Sequence, residues 1–224
     1  MSIDKYIIVV AGGRGLRMGG DLPKQFMPLG DRTVLMCTLD RMAEAVPEAK
    51  LILALPHDQQ PVWQELCRAY RYERPVQVVD GGETRFHTVS NALALIPEGA
   101  LVAVPDGVRP LVSVEVVQQA FATAALSGSA IPVIAVVDSL RRVEGDVSQA
   151  VERSLYRAVQ TPQVFDSTRL KMAYTRPYNA QFTDDASVYE AAGYSVALIE
   201  GNRENIKLTV PQDIALAQII LSQR

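Results

Sequence analysis

Short aliphatic and β-branched runs alternate along the chain with longer stretches in which apolar residues recur at helical spacing. The runs cover 7–10, 51–55, 76–79, 101–104, 130–136 and 196–199. They are continuous rather than alternating, as in strands buried on both faces. Between them, amphipathic spacing predicts helices over 34–45, 59–70, 84–95 and 114–126, with three more at 167–175, 184–192 and 212–222. Regular alternation of strand and helix predicts an α/β fold with a mostly parallel sheet and helices on both faces. Ligands of such sheets sit at the carboxyl ends of strands, so functional residues are expected just after each run.

The segment 137–165 departs from this rhythm. It is charged, has a turn at Glu144-Gly145-Asp146, and carries too few apolar residues for a core element. It reads as an exposed β-hairpin arm of the kind that packs on a partner subunit, or as a solvated loop. No repeat, low-complexity tract or linker divides the chain. The expected organisation is one domain over 1–224, with 137–165 as a dimerisation arm.

Behind the first run lies "VAGGRGLRMGGDLPKQF", with five glycines, Arg14, Arg17, Lys24 and a lone Pro23 in residues 10–26. Glycine lets backbone amides approach a phosphate with no Cβ in the way. Arg17 offers a planar fork of donors, and Lys24 a compact charge whose backbone is stiffened by Pro23. The Walker pattern GxxxxGK[ST] is absent. The dinucleotide pattern GxGxxG fails at its third glycine, where Met18 stands, and Asp40 lies in a predicted helix rather than at the end of a second strand.

Charge sharpens this reading. The 224 residues carry a net charge of −3, so the basic cluster is local, which suits a small anion and not a nucleic acid. Cys37 and Cys67 lack metal spacing and read as reduced packing residues; His57 and His87 are too scattered for a metal site. No apolar run approaches the length of a membrane span. A cytoplasmic protein without nucleic-acid or membrane partners is expected.

The glycine-rich stretch resembles the AAGxGxRM…PKQ loop of sugar-nucleotide-type nucleotidyltransferases. More narrowly, the chain resembles the CTP-using methylerythritol phosphate cytidylyltransferase family. "VVDGGETRFHTV" (78–89) is similar to that family's VxGGxxRxxSV block, "VPDGVRPL" (104–111) to HDAARP, "AVQTPQVF" (158–165) to the TPQ block, and "GNRENIKLTVPQDIALA" (201–217) to GxxxNIKVTxPxDL. The blocks follow in the family's order. Departures are Pro105, Gly107 and Val108 within the HDAARP block, Thr88 for a serine, and Ser139 for the threonine that opens the arm.

The resemblance implies a Rossmann-like, GT-A-type nucleotidyltransferase fold and transfer of CMP from CTP to a polyol phosphate. It assigns Arg17 and Lys24 to catalysis. Ala11, Gly12, Gly13, Gly15, Gly82, Glu83, Thr88, Asp106 and Gly107 are assigned to the nucleotide. Arg109, Ser139, Arg153, Thr161 and Lys207 are assigned to the acceptor, with Ser139 and Arg153 reaching the other subunit of a homodimer. Mg²⁺ is the implied cofactor, held mainly by phosphate oxygens with Asp106 a candidate ligand. Two other readings stay open: a ribitol-5-phosphate cytidylyltransferase, and a catalytically silent nucleotide-binding subunit.

Overall fold

A computed structural model describes residues 3–12 and 22–223. In chain order the elements are strand β1 (Lys5–Val10), the short hairpin β2 (Pro28–Leu29) and β3 (Arg32–Thr33), helix α1 (Val34–Ala45), β4 (Lys50–Leu55), α2 (Gln60–Ala69), β5 (Gln77–Asp80) and α3 (Arg85–Leu93). There follow β6 (Leu101–Val104), α4 (Val114–Ser127), β7 (Ser129–Ala135), β8 (Arg141–Glu144), β9 (Val147–Ala150), β10 (Arg157–Val159) and β11 (Gln163–Asp166). The last elements are α5 (Ser167–Tyr174), α6 (Asp185–Ala191), β12 (Leu198–Glu200) and α7 (Pro211–Ser222). Among the described residues no helix is long and apolar enough to cross a membrane.

The central sheet runs β10-β7-β11-β6-β1-β4-β5, with β12 on the far side of β7. Strands β1, β4, β5 and β6 pair in parallel, as do β7 and β12. Strands β10 and β11 run antiparallel to their neighbours. Side chains alternate across the pleat. Ile7, Val9, Leu51 and Leu53 face a core built with Leu35 and Leu39 of α1, Trp63 of α2 and Phe121 of α4. Tyr6, Ile8 and Ile52 face the opposite core, with Phe86 of α3, Leu170 of α5 and Tyr189 of α6. Burying one such aliphatic side chain contributes about 1.5–3 kcal/mol, so strands apolar on both faces are held twice over.

Helix starts follow from capping. The side chains of Thr33, Thr84, Ser113 and Asp166 each accept a hydrogen bond from a first-turn amide. Asp184 and Ser187 form a reciprocal capping box on α6. Helix α4 ends where Gly128 takes a left-handed conformation, φ 87°. Helix α7 packs separately, Ile214 and Ala217 meeting Leu29, Val108 and Leu208.

The excursion after β7 folds as an antiparallel hairpin, β8 with β9, and every residue of both strands is exposed. Its expected extent needs correction. Residues 160–165 belong to the core: Val164 and Phe165 are fully buried, and β11 lies between β6 and β7. The polar appearance of this stretch comes from Gln163, which is buried with its amide satisfied. It donates to Asp184 (2.7 Å) and accepts from the Ala186 amide (2.9 Å).

Candidate active site

Strands β1, β4, β5 and β6 end side by side, and their carboxyl ends carry the cleft. Past β1 the chain stays pinned: Ala11 N–H donates to Ala54 (3.1 Å), and Val10 bridges to Asp106. Strand β1 lies where the strand order reverses, with β4 on one side and β6 on the other. Such a switch point leaves a crevice between diverging connections. The resulting cleft, about 260 Å³, is lined by the main chain of β1's end and by Lys24, Gly82, Glu83, Arg85, Thr88, Asp106 and Lys207, among others.

One wall is the turn 81–84. Gly81 N–H donates to Leu55 (2.7 Å), and Gly82 N–H to the Thr88 hydroxyl (3.0 Å). A Cβ on Gly82 would sit 2.4 Å from His87 Cβ and 2.8 Å from its carbonyl carbon, so glycine is needed for close approach. The Thr88 hydroxyl also donates to the Thr84 carbonyl (2.9 Å). It therefore shapes the wall, with its proton committed within the turn.

The floor is Asp106, whose side chain is only 12% exposed. Its Oδ2 meets Arg109 Nε at 3.2 Å and Lys207 Nζ at 3.1 Å. Burial alone would raise this carboxyl's pKa; Lys207, Arg85 and Arg109 outweigh burial and hold it below the ordinary value. Asp106 N–H donates to the Thr161 hydroxyl (3.0 Å), and Arg109 donates to the Asn205 carbonyl (2.6 Å). Asn205 in turn donates to the Thr161 carbonyl (2.9 Å). Three chain segments, 106–109, 161 and 205–207, are thereby locked at one point. Gly107 serves packing here: a Cβ would meet Ala11 Cβ at 2.9 Å.

Lys24 follows Pro23 in a 3-10 turn, and the neighbouring Gln25 anchors that turn from a buried position. The Gln25 amide donates to the Ala11 carbonyl (2.9 Å) and to Gln59 Oε1 (2.8 Å). The turn that carries Lys24 is thus tied to the residue after β1 and to the 3-10 turn that follows β4. Arrays of fixed cations around a cleft suit a polyphosphate, and the arrangement can stabilise charge without a side-chain nucleophile. Neither cysteine lines this cleft. Burial pushes the Cys37 thiol up to about 11, which keeps it protonated and inert.

Comparison with known proteins agrees with this geometry. The sequence model of the family described as 2-C-methyl-D-erythritol 4-phosphate cytidylyltransferase matches residues 6–223. The chain belongs to this family. A cytidylyltransferase of that description from Porphyromonas gingivalis is 51% identical over 223 residues, covering 99% of this chain and 100% of its own. One from Phocaeicola vulgatus is 48% identical over 219 residues, covering 98% and 100%. Among solved structures, a 4-diphosphocytidyl-2C-methyl-D-erythritol synthase from Anaerococcus prevotii aligns with a TM-score of 0.82 at 26% identity, covering 99% of this chain and 97% of that one. The cytidylyltransferase from Thermus thermophilus aligns at 0.76 with 31% identity, covering 99% and 100%. The Rossmann-like α/β fold and the nucleotidyltransferase class expected from the motifs are those of the family.

Within this cytidylyltransferase frame the expected residues divide into four groups. Ala11, Gly12, Lys24, Gly82, Glu83, Thr88, Asp106 and Lys207 line the cleft together. Gly107, Arg109 and Thr161 stand behind its floor. Ser139 and Arg153 do not line it; both are exposed on the arm, where Arg153 donates to the Val137 carbonyl. Gly13, Gly15 and Arg17 lie outside the described residues. Arg85 and Gln25 line the cleft with no role assigned from sequence. Arg85 stands inside the quoted GGETR block and Gln25 inside PKQ, so the signal for both was present in the motifs.

Proposed function

We propose that the cleft transfers CMP from CTP to the 4-phosphate of 2-C-methyl-D-erythritol, releasing pyrophosphate and forming 4-diphosphocytidyl-2-C-methyl-D-erythritol in the non-mevalonate isoprenoid route. The observation that carries this reading is that Lys24, Arg85, Lys207 and Asp106 line one cleft with the close-walled Gly82 turn, Lys207 paired to Asp106. A phosphate monoester is largely dianionic near pH 7, since its second pKa is about 6. The acceptor therefore attacks the α-phosphorus without a general base. What opposes reaction is the meeting of two anions and the charge that grows on the pentavalent phosphorus. Fixed cations answer both, as electrostatic preorganisation and as positioning.

Lys24 and Arg17 are assigned to the triphosphate and the transition state. The Gly82 turn supplies backbone groups to the cytosine edge. Lys207 and Arg109, oriented by Asp106, receive the acceptor phosphate. A divalent ion, Mg²⁺, would supply charge neutralisation across the phosphate oxygens. Among the described residues no group of three or more acidic, histidine or cysteine side chains could cage a metal. Asp106 Oδ2 already carries two cationic partners. The donor set thus fits an ion held chiefly by phosphates, with Asp106 as a candidate carboxylate.

The reading extends to a cytoplasmic homodimer. Supporting it are the two unpaired cysteines, which suit a reducing compartment, and the arm, whose Val143, Val147, Leu155 and Tyr156 are exposed apolar side chains that a partner subunit would cover. In such a dimer Ser139 and Arg153 of one subunit complete the acceptor site of the other.

Pyrophosphate release measured with CTP, ATP and GTP against methylerythritol phosphate and ribitol 5-phosphate tests the assignment. Turnover should require CTP and favour methylerythritol phosphate. Comparable rates with a purine nucleotide, preference for ribitol 5-phosphate, or binding without turnover would each overturn it.

A further inference from the structure

Two buried glutamines brace the turn that carries Lys24. Gln25 is 1% exposed and lines the cleft, whereas Gln59 is 7% exposed and does not line it. A carbonyl can only accept, so the Ala11 carbonyl fixes which end of the Gln25 carboxamide faces it. Both Nε2 protons are engaged, one by Ala11 (2.9 Å) and one by Gln59 Oε1 (2.8 Å). The other end of the carboxamide is orphaned. Gln25 Oε1 is buried and, among the described residues, accepts no hydrogen bond.

A buried acceptor without a donor costs free energy, and each such group in a folded protein calls for a reason. A residue kept for bulk alone could be methionine, which fills a similar space without that cost. What methionine cannot do is donate. The two bonds from Gln25 join points far apart in sequence. Ala11 follows β1, and Gln59 closes the 3-10 turn after β4, fourteen and thirty-four positions from Gln25. The turn around Gln25 is itself tight, with Phe26 N–H donating to Pro23 (2.9 Å) and Met27 N–H to Lys24 (3.2 Å). Phe26 is buried in the same core as Ala11 and Leu35. The backbone of Lys24 is thereby fixed on both sides, by Pro23 before it and by Gln25 after it. A lysine side chain is a flexible four-carbon stem, so the precision of its ammonium depends on the precision of its root. Small displacements of a charge-stabilising group lower the rate steeply, even when they originate away from the reacting atoms.

We infer that Gln25, braced by Gln59, is a positioning residue for Lys24. The carboxamide fixes the backbone from which the ammonium meets the transition-state charge, and its effect on turnover runs through that lysine. The inference rests on the cytidylyltransferase reading of the cleft and on the place of Lys24 in it.

A double-mutant cycle, read by pyrophosphate release from CTP and methylerythritol phosphate, tests this. Gln25→Met removes both donated bonds at similar side-chain length. It should lower kcat about 10–10²-fold and leave the KM for CTP within about threefold. In the Lys24→Ala background the same change should lower kcat by less than about twofold, because the interaction it supports is already gone. A residue that merely held the fold together would lower kcat by the same factor in both backgrounds. Gln59→Met breaks one bond of the brace outside the cleft and keeps the bond to Ala11, so it carries the test if Gln25→Met fails to fold. It should lower kcat about threefold in the wild-type background and leave kcat unchanged in Lys24→Ala. Circular dichroism checks that each variant measured is folded. A Gln25→Met kcat within about twofold of wild type, equal factors in the two backgrounds, or a raised KM at unchanged kcat in either variant would overturn the inference. A normal kcat in Lys24→Ala would remove the lysine from the transition state, and the inference with it. No CTP-dependent pyrophosphate release from the wild-type enzyme would instead overturn the reading of the cleft.

Discussion

Replacing Asp106 by Asn removes a charge while preserving shape and hydrogen-bonding capacity. The carboxylate holds two cations in unequal settings. The Arg109 side chain is 13% exposed and stays largely desolvated, whereas Lys207 is 45% exposed and can turn to water. Stranding one partner of a buried pair costs about 3–5 kcal/mol. Arg109 keeps its bond to the Asn205 carbonyl, so the lower end, about 3 kcal/mol, is expected. At ~2–4 °C per kcal/mol for a chain of this size, thermal unfolding followed by circular dichroism should fall by about 6–12 °C. The pH dependence has a definite sign. The folded-state pKa of Asp106 is lowered, so its stabilisation is complete above the unfolded carboxyl value and is lost as pH falls through the lower folded value. The gap between wild type and Asp106→Asn should hold constant from pH 7 to pH 5 and close only below about pH 4. A melting temperature within 2 °C of wild type at pH 7, or a gap that already closes between pH 7 and pH 5, would refute this account of the floor.

Lys24→Ala should lower kcat by about 10²–10³-fold with the fold intact, the scale for losing one contact to developing charge; a raised KM with normal kcat would place the lysine in ground-state binding instead. Gly82→Ala should weaken CTP binding, because its Cβ would press on the His87 backbone and push the wall from its place; calorimetry on a variant with native circular dichroism reads this, and wild-type affinity would contradict it. Arg153→Ala and Lys207→Ala should each be nearly inactive, yet equal amounts exchanged into mixed dimers should regain roughly a quarter of wild-type activity, since each mixed dimer keeps one intact site. No recovery after verified exchange would mean that Arg153 does not serve a partner's site.

The periodicity of the sequence determined the alternating elements of the parallel sheet and their placement on two faces. Runs such as 7–10 and 101–104 are apolar on both sides, and only a doubly covered strand can bury them. Motif spacing likewise brought Ala11, Lys24, Gly82, Asp106 and Lys207 into consideration, because residues just after parallel strands converge at one sheet edge whatever the details of packing. Tertiary structure alone decided the antiparallel strand β11. Its buried Gln163 looks like a loop residue until the partners at Asp184 and Ala186, more than twenty positions away, satisfy its amide. The same holds for Arg85 and Asp185, separated by 100 residues and read from sequence as a motif position and a helix start. Local pattern records what a residue can bury with its neighbours in the chain. The pairing of a buried polar group depends on a partner that only the folded chain brings within reach, and there the sequence of either segment is silent about the other.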